Sequence, residues 1–231
     1  MVEKNVTDRF ARRQWRIRQI SLSALVVLEL LALFVAMPLS EMGLLASPVY
    51  YFIMTMLIVA AVAVLSRSRV SLTAILIAFA VALAANLFRH ESRSMLVNFI
   101  FYAAELAFVI VLTSVVGQAV FGHGRVTFHR IQGAIAFYLL IAVIFAYFYL
   151  LQVTLVPNAF NQSIVLTDSF GAPRLLYFSF ATITTTGYGD IAPVHPLARS
   201  LANLEAVIGQ LFPATLLARI VTLEIAAERR Y

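Results

Sequence analysis

Six stretches of predominantly apolar residues confine what this chain of 231 residues can fold into. They run from Ile20 to Met37, Pro48 to Leu65, Val70 to Phe88, Ser94 to Val116, Ile131 to Val153 and Ala198 to Ile225. A hydrocarbon layer about 30 Å thick is crossed by about 20 residues of α-helix, so each stretch is long enough to span it. Met37-Pro38, Ser47-Pro48 and Arg67-Ser68-Arg69 are short breaks between successive spans. The composition agrees, with 62% hydrophobic and 12% charged residues, where soluble domains carry roughly half and a quarter. A chain this short exposes too much surface to hide that surplus in a water-facing core. The expected fold class is therefore an all-α integral membrane protein with six transmembrane helices.

The net charge of +6 fits either a nucleic-acid partner or orientation in a membrane, and the placement of the basic residues decides between them. Counted over alternate connections, 13 of the 17 Lys and Arg fall on the side that holds both termini and 4 on the other. Basic residues collect on the cytoplasmic side, so both termini are expected there, in a cell membrane of the prokaryotic inner or plasma type. Nucleic acid is then not needed to account for the charge. Residues 1–19 form a basic N-terminal segment in which Phe10, Trp15 and Ile17 alternate with arginines. That pattern fits a short helix on anionic lipid or a solvated tail. The first span is too long for a signal peptide, and Met37-Pro38-Leu39-Ser40 offers no cleavage site.

Several chemistries drop out. The chain has no cysteine, which removes disulfides, thiolate metal sites and cysteine nucleophiles. His90, His123, His129 and His195 lie in polar connections without metal-ligand spacing. No Ser/His or Asp/Asp constellation lies at matched depth, so the protein is not expected to be an enzyme. No internal repeat of the kind that transporters carry is visible. No polar segment is long enough for a separate ligand-binding domain of about 100 residues, and the expected organisation is residues 20–117 as a four-helix membrane unit, 118–130 as a cytoplasmic linker, 131–225 as a second unit and 226–231 as a short tail.

The connection from Thr154 to Leu197 carries the chemistry. From Arg174 it reads Arg-Leu-Leu-Tyr-Phe-Ser-Phe-Ala-Thr-Ile-Thr, too short to cross a bilayer but long enough for a re-entrant helix over 173–184. Pro173 suits the first helical turn, and such a helix points its partly negative C-terminal end into the membrane. Thr184-Thr185-Thr186-Gly187-Tyr188-Gly189-Asp190 follows. Irregular backbone at membrane depth is tolerated only where it is buried in protein or lines a water-filled path. Alternating glycines let the backbone turn successive carbonyls to one side. Taken alone, the run also fits a Gly-rich turn or an anion-binding loop.

In its setting, the run resembles the signature of tetrameric potassium channels, Thr-x-Gly-Tyr-Gly-Asp after a helix rich in threonine and aromatics, here Tyr177-Phe178-Ser179-Phe180-Ala181-Thr182. The likeness extends from Ile131 to Ile225 and is strongest from Arg174 to Arg219. It implies a pore helix at 173–184, a selectivity filter at 185–190 and an inner helix at 198–225. Thr185, Thr186, Gly187, Tyr188 and Gly189 would form the filter, with K⁺ held by the carbonyls of Thr185, Thr186, Gly187 and Tyr188 and by the Thr185 hydroxyl. Tyr177, Phe178, Thr182, Thr184 and Asp190 would support it. One chain supplies one loop, so the resemblance implies a homotetramer among membrane lipids, with K⁺ as permeant ion and no other cofactor. Position 186 departs from the family, which usually has an apolar residue there. The Thr186 hydroxyl needs a new partner, and a nonselective cation channel is the runner-up; a secondary transporter is a more distant one.

Gly209 follows Gly189 by 20 residues, the place of the family's hinge glycine. Pro213, four residues on, cannot donate to the Gly209 carbonyl. A gate at Gly209 and Pro213 competes with close packing of Gly209 on a neighbouring helix. Glu205, one turn earlier, needs a partner inside the apolar stretch, and Thr182 or Thr184 are the candidates. The fourth span holds no Lys or Arg and a single charge, Glu105, whereas steep voltage gating needs several moving charges at about 2.3 kcal/mol per charge per 100 mV. Voltage sensing by this helix is not expected. Glu29 and Glu105 are candidates to share a proton, to sense pH, to bind a cation or simply to pack. His195 near the outer mouth is a pH-sensor candidate or a solvated histidine, and Asn161-Gln162-Ser163 is a glycosylation sequon. The gating stimulus and any regulatory subunit are not encoded in a recognisable motif.

Overall fold

The computed structural model describes residues 94–121, 128–162 and 171–228, with positions 23, 26–36, 38, 39, 42, 44, 73, 76, 77, 79–81 and 84. The second span, most of the third, the basic segment 1–19, His90, His123 and the side chain of His129 lie outside the described residues. Four α-helices make up the described part from residue 94 on: α1 (Met95–Phe121), α2 (Phe128–Leu155), α3 (Gly171–Ile183) and α4 (Pro196–Glu228). Of these, α1, α2 and α4 are each long and apolar enough to cross a membrane, while α3 has only 13 residues. All regular elements among the described residues are helical, apart from one isolated antiparallel bridge between Phe160 and Pro193.

Both α1 and α2 are apolar all round, as expected of helices that meet protein on one side and lipid on the other. Ser94 starts α1, its hydroxyl accepting the amide of Val97 at 3.2 Å as an N-cap does. Hydroxyls inside the spans bond back along their own helix, as Thr113 does to the Val109 carbonyl at 2.7 Å and Thr154 to Leu150 at 2.8 Å, which satisfies them locally. The two helices run antiparallel. At one end Val116 and Val120 pack with Ala134, Ala136 and Leu140; at the other, Phe101 and Tyr102 pack with Phe145, Tyr149 and Leu150.

The linker expected over 118–130 is shorter, because α1 continues to Phe121 and α2 begins at Phe128. The added turn has a reason to form. Val120 is buried, and the Phe121 ring meets Phe137 edge-on at 5.3 Å and Phe212 at 6.3 Å. Arg219 of α4 closes this end, with its guanidinium 5.3 Å from the Phe121 ring centroid and donating to the Phe121 carbonyl at 3.2 Å. The segment that ends in a π-helical turn at Ala32–Ala36 touches α2 at one end, where Ser23 bonds Gln132, and α3 at the other, where the Phe34 ring lies 6.1 Å from Phe180.

Candidate functional site

The site is the junction of α3, the segment that follows it, and α4. At the C-terminus of α3 the last carbonyls of a helix lack partners within it, and here all four find one. The Phe180 carbonyl accepts the Thr184 amide at 3.1 Å and the Thr184 hydroxyl at 2.6 Å. The Ala181 carbonyl accepts Gly187 at 3.0 Å and Thr182 accepts Thr185 at 2.9 Å. The Ile183 carbonyl accepts the Tyr138 hydroxyl of α2 at 2.9 Å. The helix end is thereby sealed, and the chain beyond it is held against its last turn.

Beyond α3, φ is +58° at Thr185, +57° at Gly187 and +81° at Gly189, while Thr186 and Tyr188 have negative φ. Such alternation gathers successive backbone groups of one kind on one side of the chain. Two glycines accept the left-handed state without strain; Thr185, β-branched, does not, and this feature was not legible in the sequence. The Thr186 hydroxyl lies 2.8 Å from that of Thr184. Because Thr184 donates to Phe180, its oxygen receives the Thr186 hydrogen. The departure at position 186 thus has the partner it required. Tyr188 stacks on Tyr177, rings 6.0 Å apart and 9° from parallel, and the Tyr177 hydroxyl interacts with Asp190.

Behind α3 the contacts are buried. Glu205 of α4 is fully enclosed, as are Ser179 of α3 and Tyr149 of α2. The Tyr149 hydroxyl donates to Glu205 Oε2 at 2.6 Å, and the Ser179 hydroxyl meets both Glu205 Oε1 and the Ala142 carbonyl, the latter at 2.7 Å. The partners expected for Glu205, Thr182 and Thr184, are instead turned back onto α3, at the carbonyls of Phe178 and Phe180. A threonine within a helix satisfies its hydroxyl locally, whereas Ser179 lies on the face of α3 that meets α2. Phe178 packs beside them, edge-on to Tyr149 and to Phe160 at 5.1 Å each.

Gly209 touches the end of α3. A Cβ there would lie 2.0 Å from the Ile183 carbonyl oxygen, so close packing is what the glycine serves in this structure. The helix α4 passes through Gly209 and Pro213 without interruption. Next to it, the Gln210 amide donates to the Thr185 hydroxyl at 3.1 Å. On the other side of the segment, Asn161 and Gln162 donate to the Asp190 carbonyl at 3.2 and 2.8 Å, and Asn161 Oδ1 accepts the Ala192 amide at 2.8 Å. The sequon asparagine is thus tied to the chain beyond Asp190. The imidazole of His195 accepts the Leu197 amide at 3.3 Å and so caps α4. Of the two acidic residues proposed to share a proton, Glu29 is buried with neither carboxyl oxygen hydrogen-bonded, so it is not paired with Glu105. Among the described residues no group of His, Cys, Asp and Glu is arranged to hold a metal ion.

With this geometry in place, residues 133–225 match the protein family described as ion channel. Over 74 residues the chain is 39% identical to the inward rectifier potassium channel Kirbac3.1 of Paramagnetospirillum magnetotacticum, covering 32% of this chain and 22% of that protein. The chain therefore spans about a fifth of the length of this curated relative. No solved structure matches. Residues 133–225 are thus similar to an ion channel family, and 74 residues of the chain to a potassium channel.

Proposed function

We propose that the chain assembles as a homotetramer and conducts K⁺ passively through a filter lined by the carbonyls of Thr185, Thr186, Gly187 and Tyr188. The observation that carries this reading is the alternation of left-handed φ at Thr185, Gly187 and Gly189, in a segment sealed to the end of a short membrane helix. Assembly is supported by what one chain leaves uncovered. Every residue from Thr184 to Asp190 is exposed within a single chain. In its most apolar stretch α4 is only 11% buried, against 50% for α1 and for α2. Backbone at membrane depth must be enclosed, and copies of the same loop around one axis enclose it.

Glu205 acts as a neutral bridge behind the filter. Ser179 has one hydroxyl hydrogen; with that hydrogen on the Ala142 carbonyl, the contact to Glu205 is made by a carboxyl proton. The bridge ties α2, α3 and α4 together without the cost of about 2.5 to 3.5 kcal/mol that a charge at membrane depth carries. In this reading α4 opens by bending at Pro213, one turn beyond the packed Gly209, α1 does not sense voltage, and both termini are cytoplasmic.

The test is ion flux from liposomes holding the purified protein. K⁺ flux that Ba²⁺ blocks, with little Na⁺ flux, is the expected result. Equal K⁺ and Na⁺ flux makes the protein a nonselective cation channel. The fixed hydroxyl pair of Thr184 and Thr186 favours the selective reading, because it replaces lost apolar packing with a directed contact.

A further inference from the structure

No sequence motif points to Gln210, yet its amide makes a side-chain contact with the innermost residue of the proposed filter. Its position is not free to drift. The neighbouring Gly209 lies so close to the Ile183 carbonyl that a Cβ would approach it to 2.0 Å, which locks the register of α4 under the end of α3. One residue on, Gln210 Nε2 reaches Thr185 Oγ1 at 3.1 Å.

The residue it reaches is itself strained. Thr185 is β-branched and sits at φ +58°, a conformation that persists only where surrounding contacts impose it. Two described hydrogen bonds do so: the Thr185 amide onto the Thr182 carbonyl at 2.9 Å, and the Gln210 amide onto the hydroxyl. A hydroxyl oxygen has two lone pairs and one hydrogen. Gln210 occupies one lone pair, so the direction of the other, the one able to meet a cation, follows from where the amide stands.

We propose that Gln210 is a positioning residue that sets cation preference at the inner end of the filter, by orienting the Thr185 hydroxyl toward a dehydrated cation of K⁺ size. This rests on the reading of Thr185 to Tyr188 as a filter. Ba²⁺, close to K⁺ in size and doubly charged, is the probe, because its binding depends most steeply on how the oxygens are placed.

The experiment measures Ba²⁺ block of K⁺ current in planar bilayers, with Ba²⁺ added to each side in turn, on full-length protein whose assembly is checked by size-exclusion chromatography. Gln210→Leu removes the donor and is expected to weaken block from one side about tenfold, the loss of one hydrogen bond, and to lower the K⁺ over Na⁺ permeability ratio. Gln210→Glu can only accept from Thr185 and adds charge, so it is expected to tighten block. In a Thr185→Ala background, Gln210→Leu should have no further effect. Unchanged block in both Gln210 variants overturns the proposal, as does an undiminished Gln210→Leu effect in Thr185→Ala. Should the double variant not assemble, the opposite signs of Gln210→Leu and Gln210→Glu still decide. If the unaltered protein passes no K⁺ current, the filter reading itself falls, and this one with it.

Discussion

The two sides of α3 are built on opposite terms. Behind it, Ser179, Glu205 and Tyr149 are fully enclosed by one chain and all three are hydrogen-bonded. In front of it, Thr184 to Asp190 are exposed, and Tyr188, a large aromatic, is 70% open in a single chain. Buried polar groups must be satisfied within the chain that buries them, while a surface that several copies complete can be left open until they meet. The back of α3 is therefore a matter of folding, and the front a matter of assembly.

That contrast is broken most severely at Gly209. Gly209→Ala places a methyl on the Ile183 carbonyl, where backbone rather than a flexible side chain has to move. The expected cost is about 3 kcal/mol or more, seen as loss of assembled protein on size-exclusion chromatography together with K⁺ flux. Normal assembly with altered opening alone would instead favour the hinge role. Next comes Glu205→Ala, which leaves the Tyr149 hydroxyl unpaired beside a cavity at about 2 to 3 kcal/mol, measured as a lower midpoint of thermal unfolding in detergent. Glu205→Gln keeps one donor and one acceptor, so its midpoint should stay near that of the unaltered protein; a fall as large as that of Glu205→Ala would show that the bridge needs a charge. The smallest effect belongs to the front. Thr186→Val removes one exposed hydroxyl contact, worth about 0.5 to 1.5 kcal/mol. It should leave assembly intact, and the K⁺ to Na⁺ flux ratio is the readout.

Much of the front was legible in the sequence. The glycines at 187 and 189 announce left-handed backbone, and the apolar run before them announces a short helix, found at Gly171–Ile183 where 173–184 was expected. The back was legible only as a question. Glu205 in an apolar stretch requires a partner, but Tyr149 lies 56 residues away and Ser179 26. No periodicity brings such residues together; the crossing of α2, α3 and α4 does. Ser179 stood within the quoted run of α3 and would have been the better candidate on helical facing alone, since Thr182 and Thr184 have local carbonyls to bond. Tyr138 and Gln210 left no signal of their own, and Asn161 was legible only as a sequon, because the role of each comes from a carbonyl or hydroxyl on another element.

By itself the sequence determined that the chain is built for lipid, through apolar stretches long enough to span, and where the irregular backbone at membrane depth must lie, through glycine's tolerance of positive φ. Tertiary structure alone decided that Gly209 is a contact for the Ile183 carbonyl, that Glu205 closes a three-helix bridge, and that Thr185 is held in a conformation its side chain resists. These depend on distances between elements far apart in the chain, and only packing sets such distances.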